Sequence, residues 1–135
     1  ISKIIKGNKI PVYGNGLQVR DWLYVEDHAE ALYKVLINGK IGETYNIGGN
    51  NEKTNIEVIK VICDLIDNKE GYSIKGKSSH DLIEFVEDRP GHDLRYAINI
   101  SKIKNSLSWE PKKSFEEGIS ETVDWYIKNF TEIDK

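Results

Sequence analysis

The sequence is short of several residues that would define its chemistry. It has one cysteine, three prolines, three histidines and no methionine in 135 residues. A lone Cys63 excludes an internal disulfide and a paired-cysteine metal site. The lack of disulfides fits a reducing, cytoplasmic setting. Cys63 falls in an apolar helical stretch and reads as a small core residue. His28, His80 and His92 have no partner at ligand spacing, so no metal centre is expected. No apolar run approaches the roughly 18 residues of a membrane span, and no signal-peptide pattern is visible. With 22 acidic and 19 basic residues the net charge is −3. No global field therefore draws the chain to nucleic acid, and no basic stripe with interleaved aromatics is present. Hydrophobic residues at 39% and charged residues at 30% suit a soluble globular protein rather than a disordered one. The chain begins at Ile1 without a start methionine, which reads as an excerpt of a longer protein.

What is present is a mixture of short strands and helices, so the fold class is α/β. Ile1–Gly7 reads as the last turns of a helix with a glycine cap. Ile10–Tyr13 is a short extended piece, followed by a Gly14-Asn15-Gly16 turn. Gln18–Val25 reads as a strand. Glu26 and Asp27 open a helix through Leu36, with Ala29, Leu32, Tyr33 and Leu36 on one face. Glu43–Ile47 is a second strand, ending in Gly48-Gly49. Thr54 and Glu57 form a capping box for a helix to about Asp67, with Ile59, Ile62, Cys63 and Ile66 inward. Asn68–Asp81 is polar and reads as a mobile loop. Ile83–Val86 is a strand and Arg95–Ile98 is extended. Asn99 caps a short helix to Leu107. A second capping box, Ser114 with Glu117, starts a final helix to about Phe130, whose stripe is Val123, Tyr126, Ile127 and Phe130. Trp22, Trp109 and Trp125 read as core anchors. Strand, helix and strand over 21–49 form part of a parallel sheet whose other strands are not apparent.

The densest run of chemistry is Glu87-Asp88-Arg89-Pro90-Gly91-His92-Asp93-Leu94-Arg95. Only three of the 19 basic residues are arginines, and two of them lie here. Arginine offers a planar fork that grips phosphate or carboxylate through two bonds, which lysine does not. The run therefore reads as an anion site, most simply for phosphate. The plainer alternative is a Pro-Gly turn with solvated charges. Pro11-Val12-Tyr13, the glycine turn and Arg20 form a second candidate. A tyrosine ring stacks on a flat base, and an arginine a few residues on reaches a phosphate. Its alternative is an ordinary turn with a core tyrosine and a surface arginine.

Four ordered segments resemble the dTDP-glucose 4,6-dehydratases of the extended short-chain dehydrogenase/reductase superfamily. They are PVYGNGLQVRDWLYVEDHAEAL, YNIGGNNEKTNIEV, FVEDRPGHDLRYAI, and NISKIKNSLSWEP with SFEEGISETVDWY. The resemblance covers essentially the whole chain, and the Asp88–Asp93 run is its most particular part. It implies a parent enzyme that converts dTDP-glucose to dTDP-4-keto-6-deoxyglucose and water with bound NAD. Residues 1–135 would be its C-terminal, sugar-nucleotide-binding portion, with 21–49 packed on a Rossmann part outside this chain. Pro11, Val12 and Tyr13 would then lie beside the nucleoside, Arg20 on the diphosphate and Asn55 on the nucleotide. Asp88, Arg89, Pro90, Gly91 and His92 would line the sugar-nucleotide site, with Arg89 as a second phosphate clamp.

The chain departs from that family in three places. It has no Gly-rich dinucleotide fingerprint, no Tyr-x-x-x-Lys pair and no Thr-Asp-Glu triplet. The expectation is that it binds no NAD and turns over nothing by itself. The uncovered strand and helix faces of 21–49 would favour self-association, while the parent is expected to be a homodimer. Three rival readings stand beside this one: a UDP-sugar epimerase or decarboxylase of the same superfamily, a non-catalytic nucleotide-sugar binding module, and a helical interaction protein with surface arginines.

Overall fold

The structure, a computed structural model, describes residues 1–69 and 77–133. They fall into two compact units. The first holds Ile1–Gln18, Thr54–Leu94 and the chain from Ile119 onward; the second holds Val19–Lys53 and Arg95–Gly118.

In the first unit, helix α1 (Ser2–Ile5) leads to β1 (Ile10–Tyr13). β1 pairs in parallel with β4 (Ile83–Val86), with Ile10 opposite Ile83 and Tyr13 opposite Val86. Helix α3 (Asn55–Asp67) begins where the sequence places it. The Thr54 hydroxyl accepts from the Glu57 N–H, and the Glu57 carboxylate accepts from the Thr54 N–H at 2.7 Å. Ile4, Cys63, Ile66 and Val123 form the buried centre, flanked by Ile10, Ile59, Ile62, Leu82, Ile83 and Ile127. The stripes of α3 and of α5 (Phe115–Ile133) thus meet as their 3.6-residue periods require. Each fully buried aliphatic side chain contributes roughly 1.5–3 kcal/mol. A short 3₁₀ turn, Ser79–Leu82, is tied back to α3. Asp67 accepts from the Ser79 N–H at 2.9 Å and from the Ser78 hydroxyl at 2.8 Å. The segment expected to be a loop to Asp81 is therefore structured from Ser79; residues 70–76 of it lie outside the described residues.

In the second unit, β2 (Val19–Asp21) pairs with β3 (Glu52–Thr54). Helix α2 (Val25–Asn38) and α4 (Ser101–Leu107) enclose Ala31, Ile103 and Trp109 with Leu23, Val35, Tyr45 and Ile47. Asp27 is buried, and its carboxylate accepts the N–H groups of Lys112 and Lys113 at 3.1 and 3.0 Å. The N-cap of α4 is Ile100 rather than the expected Asn99, which sits one residue earlier and accepts from the Ser101 N–H at 2.8 Å; Ser114 and Glu117 form the expected box at the start of α5.

Three expectations need correcting. The strand from Gln18 to Val25 shrinks to Val19–Asp21, because the Trp22 indole turns to the Lys53 carbonyl and the chain moves into α2. Glu43–Ile47 forms no ladder among the described residues. Its Tyr45 and Ile47 still alternate inward, so the side-chain pattern survives without a pairing strand. The apolar face of α2 is uncovered, as expected for 21–49: Leu32, Tyr33 and Leu36 are 55, 65 and 79% exposed, while Asp27, Ala31 and Val35 face the core. Trp125 is exposed and stands edge-on to Tyr126, with ring centroids 5.3 Å apart, rather than anchoring the core.

Candidate functional site

The parallel pair β1–β4 ends with Tyr13 level with Val86. The Gly14 N–H donates to the Val86 carbonyl at 2.9 Å, one step past the ladder. Loops leaving the carboxyl ends of parallel strands are the usual seat of a ligand site in α/β proteins. Here those loops are the Gly14–Gly16 turn and the run from Glu87 to His92. Both glycines are required by geometry. Their φ angles are +58° and +72°, a region that side chains with a Cβ rarely adopt. A Cβ on Gly14 would lie 2.8 Å from Asp88 Oδ2, and one on Gly16 2.8 Å from Val12.

Asp88 is the hub of the two loops. Its Oδ1 accepts from the Arg89 N–H at 2.9 Å and pairs with His92 Nδ1 at 2.7 Å. Its Oδ2 accepts from Gln18 Nε2 at 2.9 Å. The His92 hydrogen bond above all, with those of Arg89 and Gln18, holds the Asp88 carboxyl below its ordinary range. The His92 side chain is only 6% exposed, against 38% for Asp88. With Nδ1 engaged, Nε2 is the ring nitrogen left for other contacts.

The other sequence-chosen residues divide clearly. Pro11 and Tyr13 are exposed on β1, and Tyr13 offers an open ring face. Val12 between them is buried, so its side chain serves packing and is closed to a ligand. Asn55 is the first residue of α3, and its N–H donates to the Gln18 carbonyl at 3.0 Å. Pro90 and Gly91 are exposed at the tip of the loop. In the first unit the structure therefore gathers Asn55, Asp88 and His92 around Gln18, a residue the motif reading passed over. The only sequence signal was an amide set between the apolar Leu17 and Val19.

The three arginines have different surroundings. Arg95, in the second unit, closes its fork on Glu52, with Nε–Oε2 at 2.6 Å and Nη2–Oε1 at 2.7 Å. It is an internal clasp, which removes one arginine from the anion site expected over 87–95. Arg20, also in the second unit, lies over the Tyr96 ring at 4.8 Å and donates to the Val19 carbonyl at 2.7 Å. Arg89 is exposed, and its guanidinium has no partner among the described residues.

Two other features carry no site. An open concavity of about 590 Å³ in the second unit is lined by Asn50, Asn99, Ser101, Lys104, Glu110 and Lys112. Its three lysines are already engaged, Lys104 with Glu110, Lys112 with Glu30 and Lys113 over the Tyr24 ring. Among the described residues there is also no cluster of three or more metal-ligating side chains. Nor do the described residues fit a dinucleotide. Helices α2 and α3 start on Tyr24 and Thr54 rather than on glycine turns, and the Gly49 N–H is taken by Asp21 at 3.0 Å.

Comparison with known proteins defines the class. The family model described as GDP-mannose 4,6 dehydratase matches residues 1–122, and the chain belongs to that family. Within reach of it, the dTDP-glucose 4,6-dehydratase of Xanthomonas campestris pv. campestris is 54% identical over 131 residues, 97% of this chain and 37% of its own length. The crystal structure of dTDP-glucose 4,6-dehydratase from Bacillus anthracis in complex with NAD is 51% identical. It superposes with a TM-score of 0.80 over 95% of this chain and 37% of that one. The dTDP-glucose 4,6-dehydratase of Streptomyces venezuelae, crystallised with NAD bound, is 35% identical with a TM-score of 0.83 over the same shares. The chain thus spans a little over a third of the length of the relatives it matches. No helix among the described residues is long and apolar enough to cross a membrane.

Proposed function

We propose that this chain is the sugar-nucleotide-binding part of a dTDP-glucose 4,6-dehydratase. The complete enzyme would be a cytoplasmic, homodimeric, NAD-dependent lyase that turns dTDP-glucose into dTDP-4-keto-6-deoxyglucose and water. The observation that carries the reading is the Arg89 fork: it is exposed and has no partner among the described residues, on a loop that Asp88 fastens at the carboxyl ends of β1 and β4. An exposed guanidinium on a loop held through its backbone, and an exposed tyrosine on β1, suit a diphosphate joined to a flat base. The similarity to dehydratases over 97% of this chain supports the same reading.

In this reading each residue has a defined task. Tyr13 and Pro11 border the base and ribose, with Val12 as the packed residue that holds them on β1. Arg89 takes phosphate oxygens, and Arg20 presents a second fork from its seat on Tyr96. Asn55 contacts the nucleotide, and His92 offers Nε2 to the sugar-nucleotide. Pro90 and Gly91 shape the loop between them. NAD, when bound, would supply the hydride chemistry, and it would be held by residues outside this chain. Residues 21–49, with the bare face of α2, would pack against that part. The chain alone is expected to turn over nothing.

The test is an assay of the complete protein with dTDP-glucose, UDP-sugars and GDP-mannose. Turnover of dTDP-glucose alone is expected; turnover confined to a UDP-sugar or to GDP-mannose would overturn the substrate. Arg89→Ala should raise KM for dTDP-glucose about tenfold or more, the scale of a lost charge-assisted pair.

A further inference from the structure

We propose that Gln18 is the positioning residue of this site. It holds the loop of Arg89 and His92 and the first turn of α3 in one arrangement. The inference deepens the reading above and rests on it. Gln18 is only 4% exposed. Its Nε2 donates to Asp88 Oδ2 at 2.9 Å, and its backbone carbonyl accepts the Asn55 N–H at 3.0 Å. Asp88 passes the restraint on through Oδ1, to the Arg89 N–H at 2.9 Å and to His92 Nδ1 at 2.7 Å. One buried residue therefore stands behind Asn55, Arg89 and His92 without itself being open to a ligand.

The chemistry explains why the residue is an amide. An ionised Asp88 only accepts, so each of its oxygens needs a donor. Oδ1 has two. Oδ2 faces Gly14, where a Cβ would come within 2.8 Å, so no larger side chain fits from that side. The Gln18 amide reaches Oδ2 from the other. Its own Oε1 is buried without a partner among the described residues. A buried unpaired acceptor destabilises a fold, and an apolar residue of similar volume would avoid that penalty. Conflicts between local stability and residue choice are expected at functional sites.

The experiment compares Gln18→Met with the unsubstituted full-length enzyme, reading KM and kcat for dTDP-glucose and the thermal midpoint. KM should rise about five- to tenfold, as for loss of a hydrogen bond to a charged group. Within the same measurements kcat should stay within about twofold, and the midpoint should hold or rise because the unpaired acceptor is gone. A lowered midpoint with unchanged KM would mean a structural role only and would overturn the inference. If Gln18→Met does not fold, Gln18→Asn replaces it. That variant keeps the amide one methylene too short for Asp88, and the same split of KM from kcat decides. Arg89→Ala is run alongside. If it leaves KM unchanged, the reading of the site falls and takes this inference with it. If it raises KM while the Gln18 variant does not, the inference alone falls.

Discussion

Helices α2 and α3 carry similar amphipathic patterns and meet opposite fates. α3 turns its large apolar residues inward, so that Cys63 and Ile66 are fully buried against Ile4 and Val123. α2 buries its small side, Ala31 and part of Val35, and leaves Val25, Leu32, Tyr33, Leu36 and Ile37 in the open. A run of that many large apolar residues on one exposed face is uncommon on a monomer's surface. The difference teaches that a helical period identifies a stripe but does not say which body covers it.

The sharpest way to break this comparison is a matched pair of truncations, read by chemical denaturation. Ile66→Ala on α3 should cost about 2–5 kcal/mol, the range for a buried aliphatic side chain removed from a packed core. Leu36→Ala on α2 should change stability by no more than about 0.5 kcal/mol. Equal losses would mean that the α2 face is covered within this chain. Next in size is the carboxylate that secures the second unit. Asp27→Ala removes the acceptor for two backbone N–H groups, those of Lys112 and Lys113, and should cost about 1–3 kcal/mol. A neutral result would assign the hold on that segment to Trp109 and its apolar neighbours instead.

The legible part of this molecule was the part written locally. Both capping boxes, Thr54 with Glu57 and Ser114 with Glu117, formed as expected because each needs only four consecutive residues. The stripes of α3 and α5 were also readable, since their cover lies in the same unit. What failed depended on partners far away in sequence. The strand expected at Glu43–Ile47 keeps its inward Tyr45 and Ile47 but has no ladder among the described residues. Arg95, counted with Arg89 as an anion ligand, is held by Glu52, 43 positions earlier. Gln18 went unnoticed because its meaning lies in Asp88, 70 positions away. Motif reading singled out the loop from Asp88 to His92 and passed over Gln18, whose side chain is hydrogen-bonded to it.

The bare face of α2 gives a prediction in solution. The chain on its own is expected to self-associate through Leu32, Tyr33, Leu36 and Ile37 as its concentration rises. Sedimentation velocity should show a mass that grows with concentration. Leu36→Lys together with Leu32→Glu should return it to the monomer with little change in thermal midpoint. A chain that stays monomeric across the whole range would show that this face tolerates water without a partner.

The smallest expected effect separates the two faces by titration. Burial above all, with Asp67 and Asp64 nearby, pushes the Cys63 thiol up to about 11 from an ordinary value of 9.0. In the folded chain the thiol keeps its proton over a range in which the unfolded chain has lost it. The contribution to stability is therefore fully present below about pH 9 and is lost as pH rises from there toward 11. Lysines and tyrosines titrate in the same window, so the measure is the difference between the chain and Cys63→Ala. The unsubstituted chain should lose more stability from pH 9 to 11 than the variant does. Ala29→Cys, placed on the exposed face of α2 in the Cys63→Ala background, completes the comparison. Its thiol should react with a thiol-specific probe as an ordinary one does, whereas native Cys63 should resist until the chain unfolds. Equal reactivity at the two positions would mean that α3 opens to solvent as readily as the uncovered face of α2.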